Sequence, residues 1–487
     1  MSKMKQIYIV IGVVLGLSFL LLTPKTTMAQ EGANMYFLHS VPQSGRLNPA
    51  TNHDFSGYFG GLIVPINGQI LPSINFGVNL NSFCYSDLIY KPGGAFGDSL
   101  ALVFSDSILG RKFVDGLKPI NRIDFHTYID LLHFGFRLND VFWSFSAVEK
   151  IEAGIAFPRD ILRLPLYGNA NFPDPVIDLS NFGGSVLHYR EFGVGANYQY
   201  TTELSFGAKA KVLFGMANIN MAKTDIQWET DPATSNFQFN ADFDINMTQP
   251  ILDITDLRYD TEGDSLIFEN TEKDFDPLSY LMNMKNMGVA FDFGATYSPI
   301  SDVTVYASIT DLGFIRWKDQ VTNIKAKGQF DFTGLNLNDL LDDSINMGDA
   351  YIDSLFNMLD LKLSHESYKT TVPLNVYLGG TYNLTDVISF GALYHGRRWF
   401  DEFQSAFTIS ANVNRKGFGA VLSYTAMKNN MDNLGFGVAF RVGGWQTFIM
   451  TNNLLDAIYP QNARDITLRI GSNWILGRKK TDAALLR

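Results

Sequence analysis

The chain of 487 residues contains a single cysteine, Cys84. One cysteine excludes an intramolecular disulfide, a CxxC metal site and a redox-active cysteine pair. Charged residues are also scarce, at 18% of the chain, below the roughly 25% of an average soluble domain. The formal net charge is −11, and because nucleic-acid binding needs clustered lysine and arginine, we do not expect a nucleic-acid partner.

Long apolar runs are absent from the sequence except near its start. Lys3 and Lys5 precede the 16-residue apolar run Ile7–Leu22, and Thr27–Ala29 places small residues ahead of a cleavage point. This order of regions is typical of a secretory signal peptide. The alternative, an uncleaved anchor, normally needs about 20 apolar residues. We therefore predict that residues 1–29 are a cleaved leader, and its loss changes the net charge from −11 to −14.

Mean hydropathy is only +0.01, which excludes a membrane protein made of many apolar helices. Aromatic residues are nevertheless abundant at 14%, with 39 Phe and 21 Tyr, and glycine is frequent at 42 residues. A transmembrane β-barrel accounts for both observations, because lipid-facing and lumen-facing residues alternate along each strand and aromatic girdles border the apolar band.

Alternating apolar residues around short polar turns predict β-hairpins along most of the chain. Asp124–Leu138 places Leu132, Phe134, Phe136 and Leu138 on one face, Asn139–Asp140 turns, and Val141–Lys150 returns. The same pattern recurs in Tyr189–Tyr200 with Leu204–Ile219, Met287–Tyr297 with Val303–Lys318, Pro373–Tyr382 with Val387–Arg397, and a late meander that ends with Asp465–Leu476. We count roughly fourteen to sixteen strands, many near the ~10 residues that a tilted strand needs to cross a bilayer.

Polar residues occupy alternate positions inside several of these strands. Lys209 and Lys211 share one face, and Asp292 shares a face with Gly294 and Thr296. Unpaired charge inside a soluble β-sandwich is costly, whereas a hydrated lumen tolerates it. We therefore predict that these residues point into the barrel.

Three stretches interrupt the strand pattern. Ala95–Gly116 and Asn338–Leu361 have helical spacing, and Ile251–Asp276 is acidic and loop-like. The last two fit long extracellular loops, because barrels keep their periplasmic turns short. We find no internal repeat beyond the hairpin and therefore expect one folded domain.

Candidate chemistry is weak. Asp260, Glu262 and Asp264 offer hard oxygens to Ca²⁺, but the rest of an EF-hand loop is missing, and a solvated surface loop is the alternative. His133 and Ser144 lie on neighbouring predicted strands, as a Ser–His esterase pair requires, yet no orienting third group accompanies them. We predict neither an enzyme nor a cofactor.

The segment Val41–Ala50 (VPQSGRLNPA) carries an Asn48-Pro49-Ala50 tripeptide just before the first predicted strand. It resembles the FadL-like long-chain fatty-acid transporter family, and the whole chain resembles an uncharacterised family of FadL-related outer-membrane proteins. Further stretches that carry the resemblance are His188–Ala217, Gly288–Lys318 and Ile466–Gly477. The resemblance implies a barrel of about fourteen strands with an N-terminal plug, or hatch, whose tripeptide lies in the lumen.

The sequence departs from that family in two places. Only Gln30–Leu47 precede the tripeptide in the mature chain, so the hatch is short, and the chain runs on after its last strand as Arg478–Arg487. Asn followed by Pro is also ordinary turn chemistry. The alternative is therefore that Asn48–Ala50 form only a turn that enters the first strand.

These patterns predict an all-β protein, a transmembrane antiparallel β-barrel with an N-terminal lumen plug and with helical and acidic loop insertions. Its parts would be a signal peptide (1–29), a hatch (30–56), the barrel (57–477) and a tail (478–487). We expect an outer-membrane location in contact with lipid. The function would be a FadL-like channel for hydrophobic small molecules or, alternatively, a non-transporting scaffold or secretion-associated protein that binds another envelope protein.

Overall fold

A computed structural model describes residues 32–62, 71–91, 100–168, 176–231, 233–234, 236–248, 252–259, 266–272, 276–332, 359–399, 402–427 and 430–477. The predicted leader and C-terminal tail lie outside these residues.

The described strands are β1 (Gly57–Gly60), β2 (Ile74–Leu80), β3 (Ile89–Tyr90), β4 (Ala101–Leu102), β5 (Ile120–Leu138), β6 (Val141–Pro158), β7 (Val176–Asp178), β8 (Gly183–Gln199), β9 (Leu204–Thr230), β10 (Phe237–Thr248), β11 (Leu252–Tyr259), β12 (Leu266–Glu272), β13 (Asn286–Ile300), β14 (Val303–Trp317), β15 (Val321–Phe332), β16 (Lys362–Ser364), β17 (Tyr368–Thr371), β18 (Leu374–Asn383), β19 (Ile388–Trp399), β20 (Glu402–Arg415), β21 (Phe418–Met427), β22 (Asn430–Val442), β23 (Trp445–Thr451) and β24 (Asp465–Leu476). The described helices are α1 (Ala33–Tyr36), α2 (Tyr85–Leu88), α3 (Ser107–Gly116), α4 (Asp160–Tyr167), α5 (Pro277–Leu281) and α6 (Leu454–Ile458). Short 3₁₀ helices cover Pro42–Arg46, Val103–Ser105 and Pro460–Asn462.

Fourteen antiparallel strand positions close into a barrel. β1 and β2 share one position, because both pair with β24 on one side and with β5 on the other. The order around the barrel then continues through β5, β6, β8, β9, β13, β14, β18, β19, β20, β21, β22, β23 and β24. The predicted antiparallel barrel is confirmed.

The two ends of the barrel differ. At one end, two-residue turns join β5 to β6, β13 to β14 and β22 to β23. Asn139 and Gly443 adopt the left-handed conformation in such turns, with φ of 54° and 61°, which tight hairpins require. The opposite end carries the helices α3 to α6 and the longer connections, an asymmetry that outer-membrane barrels share.

β9 is 27 residues long and extends beyond the barrel. Its first half pairs with β8 and β13, and its second half pairs with β10. β10 in turn pairs with β15. The long strand therefore carries a sheet that projects from the end with the longer connections.

The outer surface is apolar where the strands alternate. Along β13, Met287, Val289, Phe291 and Phe293 are between 42% and 51% exposed, whereas Asp292 between the last two is fully buried. A row of exposed phenylalanine and valine is unfavourable in water and favourable against lipid chains. The alternation predicted around Asp292 is confirmed, and it gives the barrel a lipid-facing exterior and a polar interior.

The insertions differ in part from their predictions. Of Ala95–Gly116, the helix α3 covers only Ser107–Gly116, where Asp106 caps the first turn by accepting hydrogen bonds from two backbone amides at 2.8 and 3.1 Å. The prediction that Ile251–Asp276 is a loop is wrong, because β11 and β12 pair as a hairpin within it. Acidic side chains do not prevent backbone pairing between strands, so the acidic composition does not predict the local structure of this stretch.

Most of Asn338–Leu361 lies outside the described residues. Among the helices that the structure describes, none has the length and hydropathy to span a membrane.

Candidate functional site

Residues 32–56, which we call the N-terminal segment, lie inside the barrel. The segment contains α1 and the 3₁₀ helix that begins at Pro42, and Leu38, Val41 and Ala50 within it are fully buried. Asn34 accepts a hydrogen bond from the Ser423 hydroxyl of β21 at 2.6 Å. Its last residue, Ser56, bonds through its backbone to Leu476 and Arg137 where β1 begins. Among the described residues before Ser56, none forms a strand, and the contacts with the wall involve side chains and packing.

Four wall residues in register form a row beneath the segment, which we call the cradle. Asn197 of β8 lies opposite Gly207 of β9, Gly207 lies opposite Gly294 of β13, and Gly294 lies opposite Ser308 of β14. Residues directly opposite one another in antiparallel strands project from the same face. The cradle therefore has polar side chains at its two ends and bare backbone in its middle.

The ends of the cradle hold the backbone of the segment by hydrogen bonds. The Ser308 hydroxyl donates to the carbonyl oxygen of Leu47 at 2.6 Å, and the Asn197 amide donates to that of Thr51 at 2.8 Å. The segment thus crosses four neighbouring strands between residues 47 and 51.

The two glycines make room for the middle of that stretch. A Cβ at Gly207 would overlap the backbone of Pro49, and a Cβ at Gly294 would overlap the Asn48 side chain. Glycine inside a strand often marks a close approach of another backbone. Here the approaching chain is the tripeptide that the sequence singled out.

Within the tripeptide, Asn48 stabilises its own turn. Its side-chain oxygen accepts a hydrogen bond from the Ala50 amide at 2.9 Å, and its amide group donates to the Tyr36 hydroxyl at 3.4 Å. The first contact is an Asx turn, a common use of asparagine in loops. The Ala50 carbonyl oxygen accepts hydrogen bonds from Ser205 at 3.1 Å and Thr296 at 3.3 Å.

An apolar cluster joins the other part of the segment to the wall. The Tyr36 ring lies 5.4 Å from the Tyr377 ring and 5.8 Å from the Tyr306 ring, between centroids. The members from the segment are Ala33, Met35, Tyr36, Phe37, Leu38, Val41 and Leu47, and those from the wall are Tyr306, Tyr377, Leu393, Val421, Ala439, Phe448 and Met450. The segment therefore covers an apolar patch of the lumen wall.

Arg46 links the segment to β5. Its guanidinium forms an ion pair with the Asp130 carboxylate, and Gln43 donates to the second oxygen of that carboxylate at 3.5 Å. Burial favours the neutral form of Arg46, but the neighbouring Asp130 carboxylate outweighs it and raises the pKa of Arg46. Arg46 stays charged, and the pair fixes the segment at a second place.

Wall residues beside this pair form a buried ionic network. Lys211 lies 2.7 Å from both Asp292 and Asp311, and Lys150 lies 2.9 Å from Glu191. Asp311 has a φ of 61° at a register shift in β14. Buried ion pairs such as these stabilise a protein little more than well-packed apolar residues would. Removal of only one partner, however, is strongly destabilising, because it leaves the other charge buried and unpaired.

The segment leaves little empty space. The cavities beside it include three of about 50, 30 and 10 Å³. A single water needs roughly 10–15 Å³, whereas pockets for drug-sized ligands measure roughly 300–1,000 Å³. These cavities beside the described segment each hold at most a few waters.

Histidines of the segment are held neutral. The His53 ring contacts the His39 carbonyl oxygen through Nδ1 at 2.9 Å and stacks on Phe55 at 4.7 Å between centroids. Burial lowers the pKa of His53 to about 4 and also lowers the pKa of His39. Protonating either ring therefore opposes the buried position of the segment.

The structure separates the other residues weighed from sequence. His133 lies opposite Ser146, and Ser144 lies opposite Gly135. His133 forms a hydrogen bond with the Asn473 side chain at 2.8 Å, and among the described residues none joins it to Ser144. The suggested His133–Ser144 pairing is therefore not formed, because the register places a different serine beside the imidazole.

The weak metal candidates Asp260, Glu262 and Asp264 lie outside the described residues. Within the described part of the chain, no group of three or more His, Cys, Asp or Glu side chains is arranged to hold a metal ion.

Sequence reasoning missed the cradle and the Arg46–Asp130 pair. Gly207 and Gly294 occupy lumen-facing positions beside polar neighbours, and such glycines are the signal that a close approach leaves in a strand. Arg46 and Asp130 are 84 residues apart, and no local pattern connects them.

The fold and the segment together define a closed outer-membrane-type β-barrel whose lumen holds part of its own chain. The chain belongs to a family of unknown function, DUF5723, whose sequence pattern matches residues 49–452. A search of curated proteins finds no match.

Solved structures with a similar fold include three barrels. The toluene transporter TodX of Pseudomonas putida is 9% identical over 93% of this chain and 98% of its own, with a TM-score of 0.39. A FadL homologue of Pseudomonas aeruginosa is 9% identical over 92% and 96%, with a TM-score of 0.38. The translocator domain of the autotransporter NalP from Neisseria meningitidis is 7% identical over 92% and 99%, with a TM-score of 0.32.

Proposed function

We propose that the protein is an outer-membrane channel for a hydrophobic small molecule and that the N-terminal segment is its hatch. The observation that carries the proposal is the apolar cluster around Tyr36. When the segment moves away, wall residues such as Tyr306, Tyr377 and Leu393 lose their apolar partners. The vacated patch then offers a hydrophobic molecule the surface that the segment covered, and burial is favourable by about 25 cal/mol per Å².

The way the segment is attached supports its release. The described residues before Ser56 contribute no strand to the sheet, so the ladder between the fourteen strand positions does not depend on them. The backbone contacts at Leu47 and Thr51 are made by wall side chains, and water replaces such hydrogen bonds at a net cost of about 0.5–1.5 kcal/mol each. Displacement of the segment therefore leaves the barrel intact. The proposed activity involves no chemical step.

Binding of a fluorescent long-chain fatty acid to purified protein tests the proposal. Deletion of Gln30–Arg46 removes most of the apolar side chains of the segment, and Asn48→Ala removes the Asx turn at a cost of about 1–3 kcal/mol. We expect both variants to bind the probe more tightly than the parent while the barrel still assembles. Asn383→Ala, at an exposed strand end, is the matched control and should behave like the parent.

The alternative proposal is a scaffold that transports nothing and binds another envelope protein. The small size of the cavities beside the segment, about 50, 30 and 10 Å³, favours it. A permanently filled barrel predicts that the parent and Asn48→Ala bind no lipid probe at all. That result would replace the channel with the scaffold.

A further inference from the structure

The Asp130 carboxylate of the wall is paired with residues of the N-terminal segment, whereas other buried wall carboxylates are paired with cations of the wall. Arg46 and Gln43, which contact its two oxygens, both belong to the N-terminal segment. The Asp130 side chain is only 2% exposed. Its main counter-charge is thus carried by the part of the chain that the proposed function releases.

Other carboxylates of the lumen wall take their cations from the wall itself. Glu191 pairs with Lys150 at 2.9 Å, Asp292 pairs with Lys211 at 2.7 Å, and Glu152 pairs with Arg397. Departure of the segment leaves these pairs in place. The same departure leaves Asp130 buried without Arg46, a state that proteins avoid by supplying another cation or a proton.

The wall residue His133 also contacts Asp130. His133 Nδ1 lies 3.3 Å from its carboxylate, while the other ring nitrogen is 2.8 Å from the Asn473 side-chain oxygen. A proton taken up by His133 is therefore the competing way to balance the charge, and it needs no ligand.

The position of Arg46 adjoins the apolar patch. The residues that line the cavity of about 50 Å³ include Arg46, Asp130 and Tyr377, and Tyr377 belongs to the apolar cluster. The wall cations Lys150, Lys211 and Arg469 also line this cavity. The apolar stretch of the segment around Tyr36 thus contacts the apolar patch of the wall. The cation Arg46 contacts Asp130, which adjoins that patch. An amphiphile with one positive end has the same arrangement of groups.

We propose that Asp130 is a cation subsite of the lumen, which Arg46 fills in the closed state, and that the transported molecule is an apolar compound with an ammonium or guanidinium head. The inference rests on the proposed channel. A negatively charged head is disfavoured, because Lys150 and Lys211 already contact wall carboxylates.

The first experiment tests the subsite without any transported molecule. In the full chain in detergent, Arg46→Ala vacates the subsite, and millimolar methylguanidinium should raise its thermal midpoint above that in sodium chloride of equal ionic strength. The rise should be absent from the parent, from Arg46→Ala/Asp130→Asn and from Arg316→Ala, which removes an exposed arginine. An equal midpoint in both salts for Arg46→Ala would show that His133 or water balances Asp130, and the subsite would be wrong.

The second experiment tests the head group. Three dansyl probes share one undecyl chain and end in ammonium, hydroxyl or carboxylate. We expect Arg46→Ala to bind the ammonium probe about tenfold more tightly than the hydroxyl probe, as a charge-assisted contact allows, and Arg46→Ala/Asp130→Asn to lose the preference. Equal binding of all three would overturn the cationic head while the channel stands. Methylguanidinium rescue without binding of any probe would keep the subsite and reject the channel.

Discussion

Replacement of Gly207 by alanine tests whether the cradle holds the N-terminal segment. The added Cβ would overlap the backbone of Pro49, which no side-chain rotation can relieve. Overpacking of this kind costs about 1–3 kcal/mol. Alanine fits the β conformation of β9, so the barrel ladder should be unchanged, and the strain acts on the segment.

The contacts over the cradle determine how far this strain raises the population of the open segment. Four hydrogen bonds hold residues 47–51, from Ser308, Ser205, Thr296 and Asn197. Each of these hydrogen bonds stabilises the closed segment by a net of about 1 kcal/mol. The strain therefore offsets a large part of their combined stabilisation. Since 1.4 kcal/mol corresponds to tenfold in an equilibrium constant, we expect the open population to rise about 5- to 140-fold.

Hydrogen exchange of the amides in residues 47–51, followed by mass spectrometry, measures that population. Gly207→Ala should exchange faster there, with the strands of the barrel unchanged. The matched control is Gly183→Ala in β8, where the nearest atom to the new Cβ is 3.9 Å away. If Gly207→Ala kept the protection of the parent and of this control, the close fit at the cradle would not be what holds the segment.

Three further predictions follow from the network, the histidines and the leader. Lys211→Met leaves the buried Asp292 carboxylate without its lysine, whereas Asp311 keeps Lys150 at 3.4 Å, and the barrel should be destabilised by about 3–5 kcal/mol. Its unfolding midpoint in detergent should fall while that of the exposed control Lys362→Met stays, and equal midpoints would contradict the network. The pKa of His53 is lowered to about 4 from 6.5, so closure is fully stable above about pH 6.5 and weakens by up to about 3 kcal/mol as the pH falls toward 4. A spin label at Ser40 should gain mobility over that range, and an unchanged acid response in His53→Phe would refute the assignment. Mass spectrometry of membrane-extracted protein should find Gln30 at the N-terminus, whereas an intact Met1 would argue against cleavage.

The barrel was predictable because its signals are local. Asn139–Asp140 between two alternating stretches predicts a hairpin, and β5 and β6 form it. The inward direction of Lys209 and Lys211 followed from period-2 alternation alone, and both are buried with carboxylate neighbours. Each of these inferences needs only a few consecutive residues.

The site was not predictable to the same depth because it depends on register between strands that are distant in sequence. Asn197 and Ser308 act together only because two intervening strands place Gly207 and Gly294 between them. A one-residue slip in any of these pairings would turn a strand's lumen side chains toward lipid. The sequence pointed to Asn48, but the partners of Asn48 follow from the closed barrel.

The direct covalent connection between the N-terminal segment and β1 has a consequence for competition. The Ser56 amide donates to the Leu476 carbonyl oxygen at 3.1 Å, and β1 begins at the next residue. A released segment therefore stays tethered at the mouth of the barrel, and a short flexible tether holds its binding group at an effective concentration in the millimolar range. A diffusing molecule of equal intrinsic affinity would need a similar concentration to keep the segment out. Efficient opening at lower concentrations requires a competitor that binds the lumen more tightly than the segment does.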